Sequence, residues 1–148
     1  MPATEIREVS AVTPALAKSL AGLVRQLSSS ARMPTADELD RIARSEATSL
    51  LVAYQSGAVV GMLTLVLFRI PSGLRGLIED VVVDEAHRGK GIAAALTHEA
   101  LARARAAGAR TVDLTSRPSR EAANRLYQKL GFQKRDSNVY RFAFTEAA

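Results

Sequence analysis

The sequence of 148 residues lacks cysteine and tryptophan, and it contains only two histidines and 5% aromatic residues. Without cysteine the chain cannot form disulfides, a cysteine nucleophile or thiolate metal sites, and this absence is typical of proteins in a reducing compartment. His87 and His98 lie too far apart for an H-E-x-x-H zinc motif, so we expect no metal. The scarcity of aromatic side chains argues against a base-stacking platform for single-stranded nucleic acid.

Long apolar runs are also missing. The longest, Ala58–Phe68, is well short of the roughly 20 residues that a membrane-spanning helix needs. Residues 1–10 contain no apolar stretch of the kind found in signal peptides. A length of 148 residues falls within the range of about 100–200 residues that is typical of one domain. We therefore expect a single domain over residues 1–148, located in the cytoplasm and not associated with a membrane.

Positive charge exceeds negative charge, chiefly in the second half of the chain. The net charge is +5; residues 1–74 contain 7 Lys and Arg against 6 Asp and Glu, and residues 75–148 contain 13 against 9. An anionic ligand is therefore expected to bind the second half, although so small an excess is also compatible with a solvated surface. No stripe of basic residues follows one helix, which argues against DNA binding.

The pattern of apolar residues predicts a mixed sheet flanked by helices. Strands are predicted at residues 4–9, 49–55, 58–69, 74–83 and 110–116, with a terminal hairpin of residues 132–135 and 138–144. Helices are predicted after the caps Thr13 and Thr35 and over residues 89–107 and 119–130. The strand, helix and strand between residues 75 and 116 form a parallel β-α-β unit, so the class is α/β or α+β.

The segment that follows the strand at residues 74–83 has the composition of a phosphate-binding turn. It reads V-V-V-D-E-A-H-R-G-K-G-I-A-A from Val81 to Ala94. Its two glycines let backbone N–H groups approach a ligand, and a helix N-terminus supplies unpaired donors and partial positive charge. Arg88 and Lys90 add formal positive charge. The alternative is an ordinary glycine turn with two solvated cations.

Two common nucleotide-binding motifs fit this segment poorly. A P-loop requires glycine where Asp84 stands and serine or threonine where Gly91 stands, so hydrolysis of a nucleoside triphosphate is rejected. A Rossmann fingerprint matches formally at Gly89, Gly91 and Ala94. After Asp113, however, too little chain remains for the second mononucleotide-binding half, which disfavours a dinucleotide.

The same segment resembles the acyl-CoA signature of the GCN5-related N-acetyltransferases (GNAT), R/Q-x-x-G-x-G/A, which Arg88, Gly91 and Ala93 match. The stretch from Arg120 to Phe132 is similar to the family's second motif, in which a helix ends in L-Y-x-x-x-G-F. Both motifs occur in the family's order and spacing. The resemblance implies a GNAT-like mixed, mostly antiparallel sheet of six to seven strands, with a central parallel β-α-β unit and about four flanking helices.

The resemblance also implies how acetyl-CoA, the co-substrate, is bound. In the family its pyrophosphate lies on the backbone amides after the signature arginine or glutamine, and its pantetheine arm pairs with the preceding strand. That strand usually separates from its parallel neighbour at a β-bulge. The implied acetyl-CoA-binding residues in this sequence are Val81, Val82, Val83, Arg88, Gly89, Lys90, Gly91, Ile92, Ala93, Ala94 and Asn124.

Two residues are candidates for catalysis by the same resemblance. Tyr127 matches the tyrosine of the second motif and would protonate the departing CoA thiolate, although it also fits a buried helical stripe. Glu79 is the preferred base for the attacking amine, acting through water. Glu79 and Asp80 would point to opposite faces of a regular strand, so at most one of them would face the cleft.

The sequence therefore predicts an acetyl-CoA-dependent N-acetyltransferase that acts on a primary amine by direct attack in a ternary complex. The alternative is a non-catalytic acyl-CoA-binding module that senses the ligand or regulates a partner. The amine pocket is expected to form from the least constrained segments, residues 28–34 and 134–138. Many members of the family form homodimers, and the sequence is compatible with a homodimer.

Overall fold

One sheet of five strands organises the described part of the chain, residues 3–144 of the computed structural model. The strands are β1 (Thr4–Glu8), β2 (Thr48–Gln55), β3 (Ala58–Ile70), β4 (Gly73–Val83) and β5 (Thr111–Asp113). They lie in chain order, antiparallel from β1 to β4 and parallel between β4 and β5. The prediction of a mixed, mostly antiparallel sheet is confirmed.

Four α-helices accompany the sheet within the described residues: α1 (Pro14–Leu27), α2 (Ala36–Arg44), α3 (Ile92–Ala107) and α4 (Glu121–Lys129). Thr13 and Thr35 cap the first two helices, as predicted, by accepting hydrogen bonds from backbone N–H groups three residues later. Because α3 connects β4 to the parallel strand β5, the β-α-β unit is confirmed. None of these helices is both long and apolar enough to cross a membrane.

The hydrophobic core covers both faces of the sheet. On one face Leu20 of α1 and Leu39 of α2 pack in a cluster with Met62 of β3. On the opposite face the side chain of Leu96, in α3, lies close to the backbone of Gly61 in β3. Helices therefore cover β3 on both sides, as its continuous apolar sequence predicts.

Residues 132–144 form no strand, so the predicted terminal hairpin is wrong, and the sheet of residues 3–144 has five strands rather than six to seven. The segment belongs to the smaller of two compact units, which starts at Ser116, whereas the larger unit ends at Thr115. The predicted turn, Asp136-Ser137, lacks the glycine that two-residue hairpins favour. Ser56-Gly57, which has it, does connect β2 to β3 with positive φ at both residues. An isolated hairpin is moreover only marginally stable in water.

Candidate active site

Strand β4 contains a β-bulge near its end. Thr64 of β3 is paired with Glu79, whereas Met62 is paired with Val82, so β4 has two residues opposite the single residue Leu63. The first of them, Asp80, has a φ of 51°. Aspartate is one of the few residues other than glycine that adopt this left-handed conformation readily. The bulge that the family resemblance implies is confirmed.

Beyond the bulge, β4 continues without a partner strand on its outer side in the described residues. Its parallel pairing with β5 extends only from Arg75 to Leu77, and β5 ends at Asp113 rather than at the predicted residue 116. The N–H group of the residue after Val83 donates to β3, at Val60. Because the peptide groups of a strand alternate sides, the N–H and C=O groups of Val83 point away from β3. They are therefore directed toward the side on which pairing with β5 has ended.

A glycine-rich turn leads from β4 into α3. A 3₁₀ turn at Glu85–His87 is followed by Gly89 and Gly91, with φ of 77° and 81°. A Cβ at either glycine would meet no atom within 4 Å, so the backbone conformation, not lack of space, requires glycine there. These two residues delay the start of α3 to Ile92, three residues later than the sequence pattern predicts.

The N-terminus of α3 offers several donors to a ligand. The first intrahelical bond runs from the Ala95 N–H group to the Gly91 carbonyl, so the N–H groups from Gly91 to Ala94 have no acceptor within the helix. No acidic side chain lies in its first turn. Ile92 is only 1% exposed, so its side chain belongs to the core and is not available to a ligand. The helix dipole adds partial positive charge at the same point.

Charged side chains line this turn on both sides. Arg88 donates from Nε to the carbonyl oxygen of Val83 at 3.0 Å, which holds its guanidinium near the end of β4. Lys90 is exposed between the two glycines, and Glu79 is exposed at the start of the bulge. The unpaired N–H groups, the helix dipole and the two cations are features that suit an anionic ligand. In residues 3–144 no group of three or more histidine or carboxylate side chains is arranged to hold a metal ion.

A hydrogen-bonded network joins α1 to the beginning of this turn, and the sequence did not predict it. Gln26 of α1 donates from Nε2 to Asp84 Oδ1 at 2.8 Å, and Asp84 Oδ2 lies 2.8 Å from His87 Nδ1. The bond from Gln26, and then that from His87, hold the pKa of the Asp84 carboxyl below its usual range. The spacing of Asp84 and His87 is visible in the sequence, but Gln26 lies 58 residues from Asp84 and carries no local signal.

The remaining two candidate residues lie on α4, in the smaller unit. Tyr127 packs edge-to-face on Phe132, with ring centroids 5.7 Å apart, and burial raises the pKa of its phenol. Asn124 donates from Nδ2 to the carbonyl oxygens of Arg117 and Arg120 at 2.8 and 2.7 Å. Both amide hydrogens of Asn124 therefore stabilise the segment before α4, which leaves its side-chain oxygen for a ligand.

Solved structures of acetyltransferases and of a regulator have the same fold. An acetyltransferase from Trypanosoma brucei gives a TM-score of 0.78 at 26% identity, over 95% of this chain and 100% of that one. A transcriptional regulator from Bacillus halodurans C-125 gives 0.82 at 25% identity, over 96% and 100%. An aminoglycoside N-acetyltransferase in complex with CoA gives 0.78 at 16% identity, over 97% and 96%. These likenesses define a mixed α/β acetyltransferase fold.

The fold and the family comparison make the protein an enzyme of the acetyltransferase class. The model of the acetyltransferase (GNAT) family matches residues 20–132, well over half of the chain. The matched span includes the glycine-rich turn and Tyr127. The chain belongs to the GNAT family. A comparison with curated proteins found no match.

Proposed function

We propose that the protein transfers the acetyl group of acetyl-CoA to a primary amine by direct attack in a ternary complex. The observation behind this proposal is the arrangement at the end of β4. A bulge, a strand edge beyond the last pairing with β5, and a helix N-terminus with two positive-φ glycines follow one another along residues 79–94. The family match, residues 20–132, extends from the larger unit into the smaller one, which supports one N-acetyltransferase domain over residues 1–148.

Acetyl-CoA binds along β4 and the glycine-rich turn in this proposal. Its pyrophosphate accepts hydrogen bonds from the N–H groups of residues 89–94, and Arg88 and Lys90 balance its charge. Its pantetheine arm lies beside Val81–Val83, where β4 has no partner strand on the side away from β3 in the described residues. The solved structure of an aminoglycoside N-acetyltransferase of the same fold contains CoA, which supports a CoA thioester as the ligand.

The backbone of β4 also assists the chemical step. When the amine attacks the thioester carbon, negative charge develops on the carbonyl oxygen, and a backbone N–H group of β4 near the bulge stabilises it. In other enzymes the loss of one such donor lowers the rate by about 10²–10³-fold. The new C–N bond forms, the C–S bond breaks, and CoA leaves as a thiolate. No covalent enzyme intermediate is needed, which agrees with a chain that lacks cysteine.

Tyr127 and Glu79 handle the protons of this reaction. Burial raises the pKa of Tyr127 above the usual value of 10.0, so the phenol stays protonated at neutral pH and can donate its proton to the thiolate. Glu79 is exposed at the start of the bulge and accepts the proton of the attacking amine through water. Asn124, three residues before Tyr127 on α4, contributes its side-chain oxygen to acetyl-CoA.

The amine is bound by the segments that the two motifs leave unconstrained, residues 28–34 and 134–138. Both segments lack regular secondary structure. The acetyltransferase in complex with CoA acts on an aminoglycoside, a polycationic amine. A small amine and a protein amino group are both acceptors that the proposal allows.

A homodimer in the cytoplasm completes the proposal. Tyr140, Phe142 and Phe144 are 88%, 84% and 80% exposed, and the rings of Phe142 and Phe144 pack edge-to-face with centroids 5.4 Å apart. Burial of these rings against a second copy would remove a large apolar area from water. Light scattering is expected to give the mass of a dimer, and a monomeric mass would contradict this part of the proposal. The absence of cysteine supports a cytoplasmic location.

One observation favours a second candidate function, a non-catalytic acyl-CoA-binding module. The Bacillus halodurans protein of the same fold is described as a transcriptional regulator. A turnover assay separates the two candidates: the full chain is mixed with acetyl-CoA and a panel of an aminoglycoside, an amino sugar phosphate and a peptide with a free N-terminus, and free CoA thiol is measured. Amine-dependent thiol release supports the enzyme. Saturable acetyl-CoA binding without release on any amine supports the module.

A further inference from the structure

The side chain of Gln26, in the last turn of α1, is hydrogen-bonded to the turn that follows β4. Its Nε2 donates to Asp84 Oδ1 at 2.8 Å, and its Oε1 accepts from the backbone N–H group of Glu85 at 2.9 Å. One carboxamide therefore holds two consecutive residues of the turn. Gln26 lies outside both sequence motifs, and the proposed reaction uses neither Gln26 nor Asp84.

Asp84 is held from several directions at once. Its Oδ2 atom lies 2.8 Å from His87 Nδ1, and its carbonyl oxygen accepts from the His87 N–H group at 2.8 Å. Its own N–H group donates to the carbonyl oxygen of Val60 in β3, also at 2.8 Å. One carboxylate oxygen thus faces α1 and the other faces the 3₁₀ turn, so Asp84 links both to the end of β4.

We infer that Gln26 and Asp84 are positioning residues that hold residues 85–91 in the acetyl-CoA-binding conformation before acetyl-CoA arrives. The inference rests on the proposed function, which assigns acetyl-CoA to that turn. Gly89 and Gly91 give the turn wide conformational freedom, and ordering it on binding would weaken affinity. The hydrogen bonds that hold Asp84 and Glu85, at the start of the turn, form an anchor that removes part of that entropic cost.

The same anchor fixes the start of the proposed amine-binding loop. Residues 28–34 begin two positions after Gln26, and the glycine-rich turn begins shortly after Asp84. The bond between the two side chains therefore sets the position of the beginning of one binding segment relative to the other. Both ends of this bond lie within the larger unit.

The inference is tested by exchanging the amide of Gln26 and the carboxylate of Asp84 between the two positions. Gln26→Glu brings a second carboxylate next to Asp84, so repulsion should break the anchor. Asp84→Asn in the same chain restores a donor opposite an acceptor, because the carboxylate at position 26 can then accept from the new amide and from the Glu85 N–H group. In calorimetry we expect Gln26→Glu to weaken acetyl-CoA binding about 10-fold and the double variant to return within about 3-fold of the wild type, as coupled neighbours do.

Hydrogen exchange supplies a readout that does not depend on acetyl-CoA. In the ligand-free protein the amides of residues 85–91 should exchange faster in Gln26→Glu and return to the wild-type rate in Gln26→Glu/Asp84→Asn. The thermal unfolding midpoint is measured in parallel, since a merely structural role would change stability without a matching change in exchange confined to the turn. Gln133→Glu, the same chemical change at an exposed residue of the smaller unit, should alter neither affinity nor exchange in the turn.

Two results would overturn the inference while the proposed function stands. One is wild-type affinity and exchange in Gln26→Glu; the other is a double variant as impaired as the single one. If the wild-type protein binds no acetyl-CoA, the proposed function fails instead. Hydrogen exchange then decides separately whether Gln26 and Asp84 order the turn.

Discussion

Asp80 lies opposite Leu63 as the extra residue of the bulge in β4, with a left-handed φ of 51°. The register before the bulge pairs Glu79 with Thr64, and the register after it pairs Val82 with Met62. A bulge bends its strand and increases the local twist. The bulge allows β4 to stay paired with β3 as far as Val83. The opposite edge of β4, where the thioester is proposed to bind, is no longer paired with β5.

The conformation of Asp80 predicts which substitutions the bulge tolerates. Asp80→Val should lower the free energy of unfolding by about 1–2 kcal/mol, because a β-branched residue is strained at positive φ. Asp80→Gly should retain or increase the wild-type stability, since glycine adopts this conformation without strain. Asp80 is exposed, so neither change removes core packing. Urea unfolding checks the difference, and equal stability of the two variants would contradict the bulge.

Helix α3 packs so closely against β3 at Gly61 that there is little room for a side chain at this position. A Cβ at Gly61 would lie 3.2 Å from the carbonyl oxygen of Val82 and 3.3 Å from the side chains of Ile92 and Leu96. Gly61→Ala should therefore destabilise the fold by about 1–3 kcal/mol, the usual effect of overpacking a core. Gly22→Ala is the matched control, because a Cβ there meets nothing within 4 Å and α1 should gain up to about 1 kcal/mol. Destabilisation of equal size in both variants, measured by urea unfolding, would rule out the crowding argument.

Glu38, which is paired with Arg32 and belongs to the capping box of α2, should make the stability of the fold depend on pH. The Arg32 guanidinium, and then the backbone of Thr35, lower the pKa of Glu38 to about 2 from 4.5. Because the folded-state pKa is the lower one, the stabilisation is complete above pH 4.5 and is lost as the pH falls from 4.5 toward about 2. Glu38→Gln should reduce this loss, whereas Glu46→Gln, the same change at an exposed glutamate, should not. Thermal midpoints between pH 2 and 5 test this expectation, and parallel curves for wild type and Glu38→Gln would refute it.

Local signals in the sequence predicted most of the fold. The threonine caps of α1 and α2, the turn at Ser56-Gly57 and the β-α-β unit all depend on residues near one another in the chain. The terminal hairpin was predicted by the same rules and is wrong. Alternating apolar residues favour a strand only where a partner edge is present, and residues 132–144 have none in the described structure.

The parts of the candidate site that depend on residues close together in the sequence could be predicted. The glycine-rich turn lies within residues 88–94, so one short stretch of sequence contains its signal, whereas the bulge was expected only from the family resemblance. The left-handed φ of Asp80 and the anchor from Gln26 could not be predicted. The first depends on the register of β4 against β3, and the second depends on the packing of α1 beside the end of β4.

Tyr127→Phe tests the proposed general acid. The substitution removes only the phenolic oxygen and keeps the ring that packs on Phe132, so the fold should be unaffected. We expect acetyl transfer to slow by roughly 10–10³-fold, the range for loss of a general acid, with little change in acetyl-CoA affinity. Tyr54→Phe makes the same chemical change in β2, keeps the ring over which the Arg7 guanidinium lies at 4.8 Å, and should transfer at the wild-type rate. A wild-type rate in Tyr127→Phe would remove Tyr127 from the mechanism.

The most direct test of the account is calorimetric titration of the purified protein with acetyl-CoA. The wild-type chain is expected to bind with a dissociation constant in the micromolar range, and a variant with Arg88→Glu and Gly91→Glu should lose binding. Both substitutions bring negative charge to the N-terminus of α3, where the pyrophosphate is proposed to lie. Arg41→Glu reverses the same charge on the exposed surface of α2 and should bind as the wild type does. Absence of binding to the wild-type protein, or equal binding to the doubly substituted variant, would contradict the acetyl-CoA site.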